Sequence, residues 1–161
     1  MRFAPAVMAA GSAAVAAVTV GVGIAPSSSA WWPYPLVQRF GTQEVLVDGA
    51  GTVRQGWTVQ NLRPSTDIIG WPVHGRLWEA TATVKAVQGC PEPIVSNMNA
   101  RAANGQTYQV LALVASPRGL NPRTICTPDQ SAGKLYFDVI GAPPDSVVYN
   151  AGGNDLLIWK G

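Results

Sequence analysis

Histidine occurs once in this chain, at His74, and cysteine only twice, at Cys90 and Cys126. A zinc or copper site built on histidines needs several imidazoles at workable spacing, so that chemistry is excluded. Serine-hydrolase chemistry would have to use His74 as its base, and no G-x-S-x-G elbow is present to carry the nucleophile. A Cys–His pair requires a reduced cysteine. The nine acidic residues are scattered, and Glu79 and Asp138 are the two whose strand positions let them meet across a sheet for glycoside cleavage. The alternative is that both are solvated face residues or partners for Arg76 and Lys134. Asp155 is expected to open the last strand with its carboxylate on nearby backbone. No glycine-rich loop of phosphate-binding pattern occurs, and no cofactor is implied. Lysines and arginines never run together, and the formal charge is only +2, which argues against nucleic acid as a partner.

Long apolar stretches are also lacking, with one exception. Arg2 is followed by an uncharged segment from Ala4 to Pro26, and Ser28-Ser29-Ala30 then offers small side chains. That order predicts a secretory signal peptide over residues 1–30. The rival is an uncleaved membrane anchor, since the run is about bilayer length. Its Ala and Gly content partitions weakly into lipid and favours cleavage. The remainder, 31–161, has the size of one domain and no second span, and it is able to bury a core without metal. In the oxidising compartment this implies, Cys90 and Cys126 form one disulfide or stay as two small buried hydrophobes.

Residues 31–161 read as short strands between turn residues, without a convincing helix. In Arg76–Val87, Trp78, Ala80, Ala82, Val84 and Ala86 alternate with Glu79, Thr81, Thr83 and Lys85, a period of two that places one face on a core and one in water. Val53–Gln60 repeats the pattern, and Lys134–Ile140 does so with Leu135, Phe137 and Val139 on the core face against Lys134, Tyr136 and Asp138. Further strands are expected at Glu44–Val47, Val95–Ala102, Thr107–Val114, Val147–Tyr149 and Asp155–Trp159. Asn104-Gly105 predicts a two-residue primed hairpin turn, with weaker signals at Asp48-Gly49 and Gly152-Gly153. Prolines such as Pro91, Pro93, Pro117 and Pro128 mark loops and strand ends. So many half-apolar strands must pack as two sheets or close into a barrel. The Arg63–Gly75 loop is long enough to cross between sheets, which favours a sandwich. Trp31–Pro35 reads as a loosely tied terminus.

Several blocks in order carry a resemblance: Gly56-Trp57-Thr58-Val59, Ser65-Thr66, Pro72-Val73 and the run Trp78 to Val84. Asn99-Ala100-Arg101, Gly133-Lys134 with Tyr136 to Val139, and Asp155 to Trp159 follow. From about Gly41 onward the chain resembles the small immunoprotective extracellular antigen secreted by mycobacteria and its actinobacterial relatives. The resemblance implies an immunoglobulin-like antiparallel β-sandwich, secretion and no established enzymatic activity, and it supplies no ligand residues. Cys90, Cys126 and the aromatic start Trp31-Trp32-Pro33-Tyr34 depart from the family pattern.

Of six tryptophans, Trp57, Trp78 and Trp159 lie in expected strands and should be core. Trp31, Trp32 and Trp71 lie in the terminus or a loop, beside prolines, where they either contact a ligand or cover the ends of the sandwich. His74, in the same loop as Trp71, is either a mild pH-sensitive contact or an exposed histidine without a role. The expectation is a non-catalytic extracellular module whose partner is an unidentified protein or envelope component. The second reading is a carbohydrate-binding module using the loop aromatics.

Overall fold

A computed structural model describes residues 34–161 apart from Leu113 and Ala115, so the expected signal segment, Trp31 and Trp32 lie outside the described residues. Alternation drives the architecture. Among the described residues nine strands form: β1 (Leu36–Arg39), β2 (Gln43–Val47), β3 (Val53–Pro64), β4 (Arg76–Ala86), β5 (Met98–Ala102), β6 (Thr107–Gln109), β7 (Gln130–Val139), β8 (Pro144–Ala151) and β9 (Asn154–Lys160). A 3-10 turn at Val95–Asn97 is the one helical element among the described residues. The strands make two sheets, β1-β9-β8-β5-β6 and β2-β3-β4-β7. Their inner faces close over Trp57, Ala80, Val84, Leu135 and Phe137 from one sheet and Met98, Ala100, Val147, Leu157 and Trp159 from the other. The immunoglobulin-like β-sandwich expected from the sequence is therefore the fold. Fully burying a side chain the size of Leu or Phe contributes about 1.5–3 kcal/mol, so these alternating positions supply most of the driving force. The two buried indoles keep their donors paired: Trp57 Nε1 donates to Gln55 Oε1 at 2.8 Å, and Trp159 Nε1 to the Thr42 carbonyl at 2.9 Å. Trp78 packs against the edge of the core, half-buried, rather than within it.

Several expectations are corrected. The connection after β3 does not cross between sheets, because β3 and β4 are antiparallel neighbours in one sheet. The crossings are instead made by the segments after β1, β4, β6 and β7. The sandwich is antiparallel except for β1, which pairs parallel with β9. At Asn104-Gly105 only the glycine takes a positive φ, 87°. Asn104 Oδ1 instead accepts the Gln106 N–H at 3.1 Å, and Ala102 N–H donates to the Gln106 carbonyl, giving a longer turn closed by a glycine bulge. Gly152 and Gly153, with φ of 60° and 82° between the paired Ala151 and Asn154, make the two-residue primed turn. Asp155 holds side chains rather than backbone: Arg101 grips it with two bonds of 2.5 and 2.6 Å, and Asn150 Nδ2 donates at 2.7 Å. Asn150 extends from the adjacent strand β8, and the long Arg101 side chain spans β8 from β5 to set its guanidinium fork on the carboxylate.

Cys90 and Cys126 are bonded to each other. They staple two sheet-crossing connections, 87–97 and 110–129. These also pair through Ile125 N–H to the Pro91 carbonyl and Thr127 N–H to the Gly89 carbonyl.

The start of the described chain is tied rather than loose. The Tyr34 hydroxyl accepts the Val47 N–H and donates to the Val45 carbonyl, both at 3.1 Å. Those two groups belong to β2, the edge strand of its sheet, and an edge with unpaired backbone groups invites pairing with another chain. Tyr34→Phe removes both bonds. It is expected to lower stability by about 1 kcal/mol, read as a reduced urea midpoint, and an unchanged midpoint would contradict this role.

One buried group breaks the pattern. Glu44 lies opposite Trp57 in the register, next but one to the core residue Leu46, and is 2% exposed. Neither of its carboxylate oxygens has a hydrogen-bond partner among the described residues.

Candidate functional site

The 65–75 connection leaves β3 at Pro64 and rejoins the sheet at Arg76, at the end of β4 opposite the disulfide. Its first half folds back over the outer face of the sheet. On that face the register sets Glu79 beside Tyr136 and Thr81 beside Lys134. Leu111 and Leu120 line the free edge of β7, with Leu111 N–H on the Tyr136 carbonyl and Leu120 N–H on the Lys134 carbonyl, and between them Ser116 and Arg118 reach over the same face to the Tyr136 hydroxyl and Asp67. Positions whose alternation assigns them to water are thereby roofed, and they assemble a polar interior of their own.

At its centre the Lys134 ammonium donates to Asp67 Oδ2 and Glu79 Oε2, each at 2.7 Å. Arg63 reaches Glu79 Oε1 through Nε at 3.1 Å and Nη2 at 3.0 Å, and Ser65 Oγ donates to Glu79 Oε2 at 2.6 Å. Asp67 accepts the Tyr136 hydroxyl at 2.7 Å and Arg118 Nη1 at 2.6 Å. Bonds from Lys134 and then Tyr136 hold the Asp67 carboxyl down at about 2, against the opposing effect of burial. Burial would push Glu79 up, but Lys134, Ser65 and Arg63 outweigh it and lower its pKa. The two carboxylates raise Lys134 in turn. Both acids and the lysine are therefore charged at neutral pH.

The second half of the loop is pinned by Asp138. Its Oδ2 accepts the His74 N–H and its Oδ1 the Gly75 N–H, both at 2.8 Å, while His74 Nδ1 lies 3.3 Å from Oδ2. These bonds lower the Asp138 carboxyl although burial opposes them. Gly75 is required at this anchor, because a Cβ there would sit 2.1 Å from the Val139 carbonyl oxygen.

Held at both ends, the loop presents apolar side chains to solvent. Ile68 is fully exposed and Trp71 is 42% exposed. A cleft of about 410 Å³ opens beside Ile68, lined by Thr66, Asp67, Ser116, Pro117 and Arg118, and a second of about 320 Å³ lies beyond Ser116 and Pro117.

Of the residues singled out from sequence, Trp71 and His74 share this loop, with the imidazole outward against Asp138. Glu79 and Asp138 do not meet: Glu79 faces Arg63 and Lys134, and Asp138 faces the loop backbone. Lys134 is a partner of Glu79, as one reading of the sequence had it. Arg63, Asp67, Ile68 and Arg118 were not identified from the sequence. Their one available signal was an acid and an isoleucine within a loop, which periodicity cannot interpret.

Three comparisons bear on identity. Residues 35–159 match the family described as a domain of unknown function, DUF1942. The chain is 44% identical over 149 residues to immunogenic protein MPT63 of Mycobacterium tuberculosis and to immunogenic protein MPB63 of Mycobacterium bovis, covering 92% of this chain and 92% of each relative. The crystal structure of MPT63, a secreted protein from Mycobacterium tuberculosis, superposes with a TM-score of 0.76 at 45% identity, covering 81% of this chain and all of that one. The mycobacterial relatives are known as antigens and carry no enzyme name. This sandwich is thus a secreted protein, and it belongs to the DUF1942 family alongside the mycobacterial immunogenic proteins.

Proposed function

We propose that the protein is a non-catalytic extracellular binding module whose contact surface is the 65–75 loop. One observation carries the reading: Ile68 and Trp71 face solvent from a loop whose backbone is fastened through Asp67 and Asp138. An exposed isoleucine on a floppy loop would be incidental. On a fastened loop it contacts a partner with little further ordering cost. Screening the purified protein against host-cell and envelope fractions, with Ile68→Ser/Trp71→Ala as the comparison, tests this. Retention that falls about tenfold or more in the variant, as expected when interface anchors are truncated, is the predicted result; equal retention overturns the assignment.

The exposure of Trp71 supports a second reading, stacking on a sugar ring. It predicts a tryptophan fluorescence change on titration with envelope polysaccharide that disappears in Trp71→Ala. A flat titration rules it out.

A further inference from the structure

Charge in the roofed cluster is segregated by depth. The two acids lie inside, with Glu79 and Asp67 side chains 6% and 9% exposed. The two arginines that flank them lie outside, with Arg63 and Arg118 side chains 65% and 69% exposed. Arg63 uses Nε and Nη2 on Glu79, and Arg118 uses Nη1 on Asp67. A guanidinium has five N–H donors in a fixed fork, so each arginine keeps donors facing water. Counting Lys134, three cations face two carboxylates, and the surface met by an approaching molecule is more positive than that balance suggests. Ile68 lies beside this ladder: it follows Asp67 directly and shares the larger cleft with Arg118.

We infer that the Arg63–Glu79–Lys134–Asp67–Arg118 ladder and Ile68 together form a docking site for an acidic peptide segment, with its carboxylates on the two arginines and an apolar residue over Ile68. The inference rests on the loop being the contact surface and adds the chemistry of the partner. Guanidinium forks match carboxylates bidentately. An aliphatic side chain such as Ile68 gains by covering another apolar side chain, whereas it offers a sugar hydroxyl nothing. The observations therefore favour a peptide over an acidic polysaccharide. The buried acids keep the arginines extended in place, which reduces the ordering cost of contact.

The test measures fluorescence anisotropy of three labelled peptides on the purified protein: alternating Glu and Leu, alternating Gln and Leu, and alternating Lys and Leu. The Glu–Leu peptide is expected to bind about tenfold more tightly than the Gln–Leu peptide, and the Lys–Leu peptide most weakly, with the preference shrinking as salt rises from about 20 to about 200 mM. Arg63→Gln/Arg118→Gln should remove the preference, since two rim pairs are worth about that factor. Lys85→Gln, near the disulfide end of β4, should not. A urea midpoint on each variant confirms that it remains folded. Equal binding of the Glu–Leu and Gln–Leu peptides, lost in Ile68→Ser, overturns the acidic-partner inference and leaves the loop surface intact. Binding of polygalacturonate with none of the peptides also overturns it.

Discussion

Lys134→Met is expected to destabilise the sandwich by about 3 kcal/mol at neutral pH, the loss that follows when one partner of a largely buried ion cluster is removed. Among the described residues the ammonium is the one cation bonded to both Asp67 and Glu79, so its loss weakens two roofed carboxylates at once, leaving Asp67 to Tyr136 and Arg118 and Glu79 to Arg63 and Ser65. The loop is fastened partly through the same atoms, and its first half should loosen. The pH dependence has a definite sign. In the wild type the Asp67 and Glu79 pKa values lie below their unfolded values. Their contribution is therefore present above the ordinary carboxylate range and disappears as pH falls through the depressed values, about 2 for Asp67. Without Lys134 each acid loses its strongest depressing bond, so the variant has less of this contribution left to lose on acidification. The gap between variant and wild type should be widest at neutral pH and should narrow on acidification below about pH 4. Urea unfolding across that range measures it, and a gap independent of pH would contradict the cluster's electrostatic role.

Glu44→Gln should act in the opposite direction. Burial raises the Glu44 carboxyl from 4.5 to about 7, and the Ile158 backbone N–H, near but outside hydrogen-bonding geometry, opposes it only in part. A folded-state value above the unfolded one gives a contribution that is complete below about pH 4.5 and is lost as pH rises through about 7. At about 1.36 kcal/mol per unit, ionised Glu44 costs the wild type about 3 kcal/mol in mildly alkaline solution. Glutamine keeps the shape and cannot ionise. The variant should gain about that much at pH 8 and almost nothing at pH 4.5. Urea midpoints at the two pH values test it, and equal gains at both would show that Glu44 is hydrated or paired in the folded protein.

Strands with clean alternation were legible in the sequence because burial enforces a period of two. β3, β4 and β7 fall where that pattern placed them, although β3 runs on to Pro64 and β7 begins earlier, at Gln130. β1 was missed: Leu-Val-Gln-Arg does not alternate, and its place follows from parallel pairing with β9, far away in sequence. Val95–Ala102 is strand only from Met98, after a 3-10 turn, and the strand at Thr107 stops at Gln109. Alternation also misplaced Tyr136 and Glu79, which it assigned to water. Both are buried, 2% and 5% exposed, because loops roof that part of the outer face. The same roofing hid the candidate site, since Asp67, Arg118 and Lys134 meet only once two distant loops have folded over one sheet. Trp71 and His74 were singled out from the sequence because an aromatic and an imidazole within one loop stand out without any tertiary information.

Amide hydrogen exchange across residues 65–75 tests the fastened loop most directly. The N–H groups of Asp67, His74 and Gly75, bonded to Ser65 Oγ and the Asp138 carboxylate, should exchange about a hundredfold or more slowly than in an unstructured peptide. Asp138→Ala should release the last two. Exchange of all three at the unstructured rate in the wild type would mean that the loop does not hold Ile68 and Trp71 in place, contradicting the preorganised binding surface.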